Sequence, residues 1–295
     1  MNGFINLLKP PGMSSGNAVA FIKRLTGERV GHAGTLDPEA AGVLPVMIGR
    51  ATRLLDYFSE KEKTYIGEAA FTGATDTQDA QGVVVESGRG RPTQDALRAA
   101  LEKLTGEIDQ CPPAYSALKR DGQPLYKLAR QGVQVETQPR RTVVHGIDVL
   151  CDTTDGCLMR IRCGGGTYIR TLCHDLGQLT GCPAHMRFLL RTQVGAFHIE
   201  NAVTLEALQA AREEDRLPAL LLPMDTPLAH LPRVDVPDRL SKQAANGVAL
   251  PLRALGAESL CGATRVYLQG ELLGIGRPEG DLMKFSVIVR GHDKV

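Results

Sequence analysis

Residues 31–48 read GHAGTLDPEAAGVLPVMI, and this segment limits the possible folds more than any other. Its second half, the apolar run Val43–Ile48, predicts a strand. Its first half is a loop in which Gly31, Gly34 and Gly42 let another backbone or a ligand come close. Within that loop Asp37 stands before Pro38. A proline keeps the residue before it out of the helical region, so Asp37 offers its carboxylate from an extended or turn backbone rather than from inside a helix. Taken alone, such an Asp-Pro is more simply a turn whose carboxylate caps a backbone amide.

The surrounding pattern is mixed. Ser14 or Ser15 can cap a helix in which Ala18, Ile22 and Leu25 recur at helical spacing. Residues 64–71 and 82–86 predict strands, separated by the turn-prone GATDTQDAQG. Thr93 to Leu104 is the clearest helix, with Ala96, Leu97, Ala100, Leu101 and Leu104 on one face and Gly106 closing it. Residues 107–141 are rich in Pro, Gly, Lys and Arg and lack a strong period, which predicts an excursion from the core. Strands are expected at 143–150 and 157–163, then a helix capped by Thr167 and closed by Gly181. Pro223, Pro227, Pro232 and Pro237 mark a linker. Beyond it, RVYLQGELLGIG predicts a hairpin turning at Gln269-Gly270 and MKFSVIV another strand, together a small β-rich appendage from about residue 234.

A chain of 295 residues, 43% apolar and 23% charged, can bury a sizeable core as one large domain, or as one large and one small. No run approaches the ~18 apolar residues of a membrane span. The opening MNGFINLLKPPGMSS has neither a basic start nor a long apolar segment, so no signal peptide is expected. The seven cysteines include no C-x-x-C pair, which argues against a zinc site or a disulfide framework and for a reducing cytosol. The net charge of +1 is unevenly spread, for residues 119–191 hold eleven Lys and Arg against six Asp and Glu. Such a basic stretch can gather phosphates, although an ordinary solvated surface reads the same way.

Three other segments bear chemistry. In CGGGTYIRTLCHDLG (163–177) a strand runs through glycines into a helix, a junction that leaves amides free for an anion. Arg170 falls in the first turn of that helix, where a positive charge opposes the helix dipole. A carboxylate or phosphate partner would offset that cost, and Asp37 is one candidate. In KTYIGEAAF (63–71), Tyr65 can present a ring at a strand edge for a base to stack on, or simply fill the core. In CPPAYSALKRDGQPLYKLARQG (111–132), Tyr115 and Tyr126 alternate with Lys119, Arg120, Lys127 and Arg130. That mixture suits looped RNA, which offers phosphates and unstacked bases together.

Taken in order, these segments resemble the TruB family of tRNA pseudouridine synthases. The family's opening K-P-x-G-x-[ST]-S is matched by Lys9 to Ser15 and its G-H-x-G-[TA]-L-D-P by residues 31–38. Its K-x-Y strand is matched by Lys63 to Tyr65, its P-P-x-[YF]-S-A-x-K by Pro112 to Lys119, and its G-T-Y-I-R by Gly166 to Arg170. A sixth motif, A-H-x3-L before an arginine-rich stretch, covers Ala184 to Arg191. The chain departs from the family where Gly164 and Gly165 replace the usual Ser-Lys, and where Leu190 replaces a first arginine while Arg191 is kept.

The resemblance implies an α+β fold. A mixed, largely antiparallel central sheet with flanking helices would occupy residues 1–230, with a thumb-like RNA-binding insertion at about 107–141. A small PUA-like RNA-binding β domain would follow at 234–295. It implies isomerisation of a uridine at position 55 in the T-loop of tRNA, with the nucleotide flipped out of its stack. No redox change occurs, so no cofactor or metal is expected. By the same resemblance Asp37 is the nucleophile or the base that takes the ribose C2′ proton, Arg170 pairs with it, and Tyr65 stacks on the uracil near the C5 proton. Tyr168 and Leu189 line the base pocket, Lys9 supports the catalytic loop, and His32 reads or props the T-loop. The expected partner is the T-arm stem-loop of tRNA, bound by a cytoplasmic monomer with no membrane association and no obligatory protein partner. The competing readings are a non-enzymatic RNA-binding module, a hydrolase using Asp37 as nucleophile, and the guide-RNA-dependent dyskerin-like branch. No D-x-D or H-x-H pattern flanks Asp37 to favour the hydrolase.

Overall fold

The apolar run after the Asp37 loop is a strand covered on both faces, which is why its hydrophobicity is continuous rather than alternating. Leu44, Val46 and Ile48 point into one cluster with Ala18 and Ile22 of the first helix. Val43 and Met47 point the other way, into a cluster with Phe4 and Phe197. The structure is a computed structural model that describes residues 1–58, 62–113, 115, 119–120, 123–125 and 137–290. Tyr126, Lys127 and Arg130, with much of the expected thumb-like insertion, lie outside the described residues.

In chain order the first strands are β1 (Gly3–Lys9), β2 (Val30–His32), β3 (Ala41–Ile48) and β4 (Lys63–Ala70), then β5 (Gly73–Thr75), β6 (Val84–Ser87) and β7 (Gly106–Gln110). The short β8 (Lys119–Arg120) and β9 (Gln123–Pro124) precede β10 (Arg140–Asp152), β11 (Gly156–Cys163), β12 (His185–Val194) and β13 (Phe197–His198). Nine of these form one sheet in the order β1-β3-β12-β4-β11-β10-β7, with β2 beside β3 and β13 beside β12. Every pairing is antiparallel except β12 with β3, which is parallel. The fold is therefore α+β around a mixed, largely antiparallel sheet, as expected. Helices α1 (Ser15–Thr26), α2 (Gln94–Lys103), α3 (Ile169–Thr180) and α4 (Leu205–Glu213) flank it, and their apolar faces join the main core.

A second sheet has five strands, β14 (Arg233–Asp235), β15 (Leu250–Pro251), β16 (Thr264–Leu268), β17 (Glu271–Glu279) and β18 (Leu282–Ile288), in the order β14-β16-β17-β18-β15. Its hairpin turns where the sequence predicts, with both Gln269 (φ 54°) and Gly270 (φ 80°) in left-handed conformation. That is the pattern of a type I′ turn, whose twist matches the strands it joins. The proline-rich segment before this sheet is not a loose linker. Leu228 is fully buried there, packed with Leu54, Tyr267, Leu272 and Ile275 at the seam between the sheets. Among the described residues no helix is long and apolar enough to cross a membrane.

Three central-sheet elements are not legible as strands beforehand. β1 and β7 lie in segments with no clear period. β12 carries Arg187, Arg191, Thr192 and Gln193, so its polarity hides a strand that sits inside the sheet. For Tyr65 the structure decides between the two readings: β4 is an interior strand, paired with both β11 and β12, and its ring is buried in the core.

Candidate active site

The loop that carries Asp37 is tied down from three sides. Ser15 is buried, and its hydroxyl donates to the Leu36 carbonyl while accepting from the Leu36 amide, both at 2.9 Å. Ser14, one residue earlier, caps α1 by accepting from Asn17 N at 3.1 Å. The two adjacent serines thus have separate tasks: one starts the helix, the other clamps the residue before Asp37. From a second side Lys9, fully buried, donates its ammonium to the carbonyls of Pro10 (2.8 Å), Met13 (2.6 Å) and Pro38 (3.0 Å). Burial brings its pKa down to about 8, opposed by the charges of Glu39 and Asp37. The third tie is Arg191, whose guanidinium reaches the carbonyls of Gly34 (3.0 Å), Thr35 (3.2 Å) and Val43 (2.8 Å). Lys9 therefore acts on backbone carbonyls at both ends of its reach, including that of Pro38 in the Asp37 loop.

The loop can meet β12 only because of Gly42. Its φ is +114°, and a Cβ there would stand 2.1 Å from the Arg191 carbonyl oxygen. Any side chain at 42 would push the parallel strands apart and move the Asp37 loop with them.

Arg170 reaches Asp37 from the start of α3. Its Nε lies 2.9 Å from Asp37 Oδ2 and its NH2 donates to Oδ1 at 3.2 Å. This two-point contact fixes the carboxylate in plane and orientation, as an ammonium could not. The Arg170 side chain is 6% exposed and that of Asp37 36%. The cation is thus sealed below and the acid opens upward. The remaining donors of Arg170 go to the Thr77 carbonyl (3.3 Å) and the Tyr115 carbonyl (3.0 Å). A second acid, Asp79, stands 3.6 Å from Arg170 NH1. The two acids offset the cost of a positive charge in the first turn of a helix. Burial pushes the Asp37 carboxyl above its usual range, the Arg170 charge pulls it back, and the Asp79 charge adds to the rise. Solvent reaching the exposed third of the side chain moderates the shift.

The start of α3 is set by a neighbouring strand rather than by Thr167. Tyr168 occupies the cap position without a side-chain cap bond. The Gln110 amide of β7 takes its place, accepting from Tyr168 N at 2.9 Å and donating to Tyr168 O at 3.2 Å. Thr167 turns instead to the Gly164 carbonyl at 3.0 Å and to the Thr142 hydroxyl. Tyr168 accordingly sits two residues before Arg170 at the mouth of the helix.

Asp79 is the residue that sequence reasoning missed. It lies in the tight loop of GATDTQDAQG, where its Oδ1 accepts from Thr77 Oγ1 (2.6 Å) and Gln81 N (3.0 Å). Its neighbour Gln78 holds φ 63°, and accepts from Thr171 of α3 at 2.8 Å through its side chain. A non-glycine residue in that conformation is strained, and here it packs the loop onto α3 beside Arg170. The available signal is the density of Asp and Thr in that segment, which in a sequence is also what a turn requires.

Tyr65 is 6% exposed and Leu189 7%, both in the main core. Burial pushes the Tyr65 phenol up, the Arg191 charge pulls it down, and Asp37 is near enough to add a small rise. Leu189 lies against Gly67 together with Ile169 at the start of α3. His32, on β2 opposite Val46, makes no hydrogen bond to the Asp37–Arg170 pair among the described residues. Burial and the Arg191 charge lower its pKa, and its Nδ1 is buried without a partner. The structure thus pairs Arg170 with Asp37, sets Lys9 on the backbone of the Asp37 loop and Tyr168 at the start of α3, and buries Tyr65 and Leu189 in the main core.

The TruB family pseudouridylate synthase N-terminal domain matches residues 23–169, and the tRNA pseudouridylate synthase B C-terminal domain matches residues 170–229. The chain is 39% identical over 284 residues to a tRNA pseudouridine synthase B of Dehalococcoides mccartyi, covering 95% of this chain and 94% of that one. It is 41% identical over 285 residues to one from Aromatoleum aromaticum, covering 95% and 90%. Among solved structures it superposes on a chain of an H/ACA RNP bound to a substrate RNA containing 2′-deoxyuridine. The TM-score is 0.75 at 26% identity, over 99% of this chain and 86% of the other. A Cbf5–Nop10–Gar1 complex gives 0.75 at 27% identity, with the same coverage. The chain therefore belongs to the TruB family and is a tRNA pseudouridine synthase, an isomerase that acts on tRNA.

Proposed function

We propose that this enzyme converts the uridine at position 55 in the T-loop of tRNA to pseudouridine, with Asp37 as the reacting carboxylate. The observation that carries the reading is the two-point contact of Arg170 with Asp37, at 2.9 and 3.2 Å from a sealed guanidinium to a half-open acid. An acid held in this way stays ionised and oriented near neutral pH although burial opposes its charge. The target uridine is flipped out of the loop to reach it. Asp37 then attacks ribose C1′ or removes the C2′ proton, and the C1′–N1 bond breaks. The uracil turns and C1′ bonds to C5, as the Asp37–C1′ bond breaks in the first route or as Asp37 returns the proton to C2′ in the second. The C5 proton is lost and N1 gains one, so the product is an isomer of the substrate.

Tyr65 stacks on the turning base and stands where the C5 proton leaves. A buried phenol with a raised pKa is a weak base, so that transfer runs through water. Tyr168 and Leu189 bound the base, Lys9 holds the Pro38 carbonyl beneath it, and His32 props the loop that meets the T-arm. Residues 1–230 act as the catalytic domain, with the thumb-like insertion at 107–141 gripping the T-loop. Residues 234–295 act as a PUA-like RNA-binding domain. The enzyme works as a cytoplasmic monomer without an obligatory protein partner.

The test is position-resolved mapping of pseudouridine in an unmodified tRNA incubated with the purified protein. The expected result is one new pseudouridine, at position 55. Modification elsewhere would overturn the site assignment, and no modification would overturn the whole reading.

A further inference from the structure

Arg191 is among the largest fully buried side chains, at 0% exposure, and among the described residues no carboxylate pairs with it. A buried guanidinium without an acid is costly, because its charge is taken out of water with no opposite charge to compensate it. Its three carbonyl contacts engage one donor on each guanidinium nitrogen but do not neutralise the charge. Nor is it alone, for a Cβ built on Gly34 would lie 3.6 Å from the Lys63 ammonium and 3.7 Å from Arg191 NH1. Two cations thus stand behind the same loop residue, and each disfavours the other.

What distinguishes the position is its register. On β12, Arg191 is opposite Gly42 of β3 in the parallel pairing and opposite Tyr65 of β4 in the antiparallel one. It stands where the strand leaving the Asp37 loop and the strand carrying Tyr65 share one neighbour. Its guanidinium binds the carbonyls of Gly34 and Thr35, at 3.0 and 3.2 Å, and Thr35 is two residues before Asp37. The same charge is the main influence that counters burial at the Tyr65 phenol.

We infer that Arg191 is a positioning residue for the isomerisation, a rigid spacer that fixes the Asp37 loop and the Tyr65 ring at a set distance on either side of the reacting nucleotide. The inference rests on the roles proposed for Asp37 and Tyr65. Two groups that act on one nucleotide from different strands need a common reference, and the planar fork supplies it where a flexible ammonium would not. A shift of about 1 Å in such a constellation costs on the order of 10²-fold in rate.

The test compares single-turnover pseudouridine formation on tRNA by the wild type, Arg191→Lys, Arg191→Met, Tyr65→Phe and the Arg191→Lys/Tyr65→Phe double variant. tRNA affinity and thermal melting are measured on each. Arg191→Lys keeps the charge and most of the volume and so remains folded even if Arg191→Met does not. Its rate is expected to fall about 10²-fold with tRNA affinity within about threefold. The double variant is expected to be no slower than the slower single one, because both changes break the same coupling. A residue that only supports the strand would lower melting and combine additively with Tyr65→Phe. An additive cycle, a wild-type rate in Arg191→Lys, or a loss of affinity equal to the loss of rate would each overturn the inference. Asp37→Asn is run alongside. If the wild type makes no pseudouridine or Asp37→Asn still does, the reading of the site fails. If both behave as expected and Arg191→Lys is fully active, only the positioning role fails.

Discussion

Lys9, Arg170 and Arg191 are buried in the part of the chain built on the nine-stranded sheet, whereas among the described residues of the five-stranded sheet no charged side chain is buried. The second sheet keeps its charges outside. Arg233 pairs with Asp235 at 2.7 Å and Lys284 with Glu279 at 2.7 Å, all four side chains about half exposed or more. Its interior is Val234, Leu250, Val266, Leu268, Leu273 and Met283. Exposed pairs of that kind contribute roughly 0–1 kcal/mol each, so this sheet is held by apolar burial. The first sheet has an apolar core too, and carries its buried cations in addition. All three converge on one loop or on the acid within it. Buried charge in this chain is thus gathered at the Asp37 loop, and the second sheet is built without it.

Substitutions on the two sheets should separate chemistry from stability. The largest effect is expected for Asp37→Asn, which should abolish tritium release from C5-labelled uridine in tRNA while leaving tRNA affinity within a few fold. Retained turnover would break the comparison at its root. Arg170→Met should lower the single-turnover rate by about 10²–10³-fold, the scale seen when a preorganised charge partner is removed. Rapid-quench assays at saturating enzyme would measure it. tRNA affinity should fall more than about tenfold between 50 and 200 mM salt, because neutralised phosphates release counterions. Affinity independent of salt would sink the basic-face reading of residues 119–191. The smallest effect is expected at the seam, where the Tyr267 hydroxyl donates to Asp225. Tyr267→Phe should cost about 1 kcal/mol in denaturant unfolding and leave the single-turnover rate unchanged. A matching loss of rate would show that the seam reaches the active site.

Much of this was legible in the sequence, for identifiable reasons. Val43–Ile48 and the helix after Thr93 declare themselves because their periods are strong. The turn at Gln269-Gly270 declares itself because two left-handed residues are needed there. The convergence of Asp37 and Arg170 was foreseeable because a cation in the first turn of α3 needs a partner. β12 was not legible, since half its residues are polar for reasons that exist only once the loop is folded against it. Asp79 was hidden because an acid that binds its own turn and one that faces a distant arginine look the same in a single sequence, and here it does both. Thr167 was misread as the cap of α3 because the group that does the work, Gln110, comes from a strand 58 residues away.

The central claim is that the working group is a carboxylate whose ionisation burial opposes and Arg170 supports. The pH dependence of the single-turnover rate tests it most directly. In the proposed mechanism ionised Asp37 is the active form, and burial holds its pKa above the usual carboxylate range. The rate should therefore climb with pH through one deprotonation, with a midpoint above the ordinary carboxylate value of about 4. Replacing Asp79 by Asn removes a like charge and should move that midpoint to lower pH. A rate that stays flat below the ordinary carboxylate range, or a midpoint that Asp79→Asn drives upward, would contradict the account.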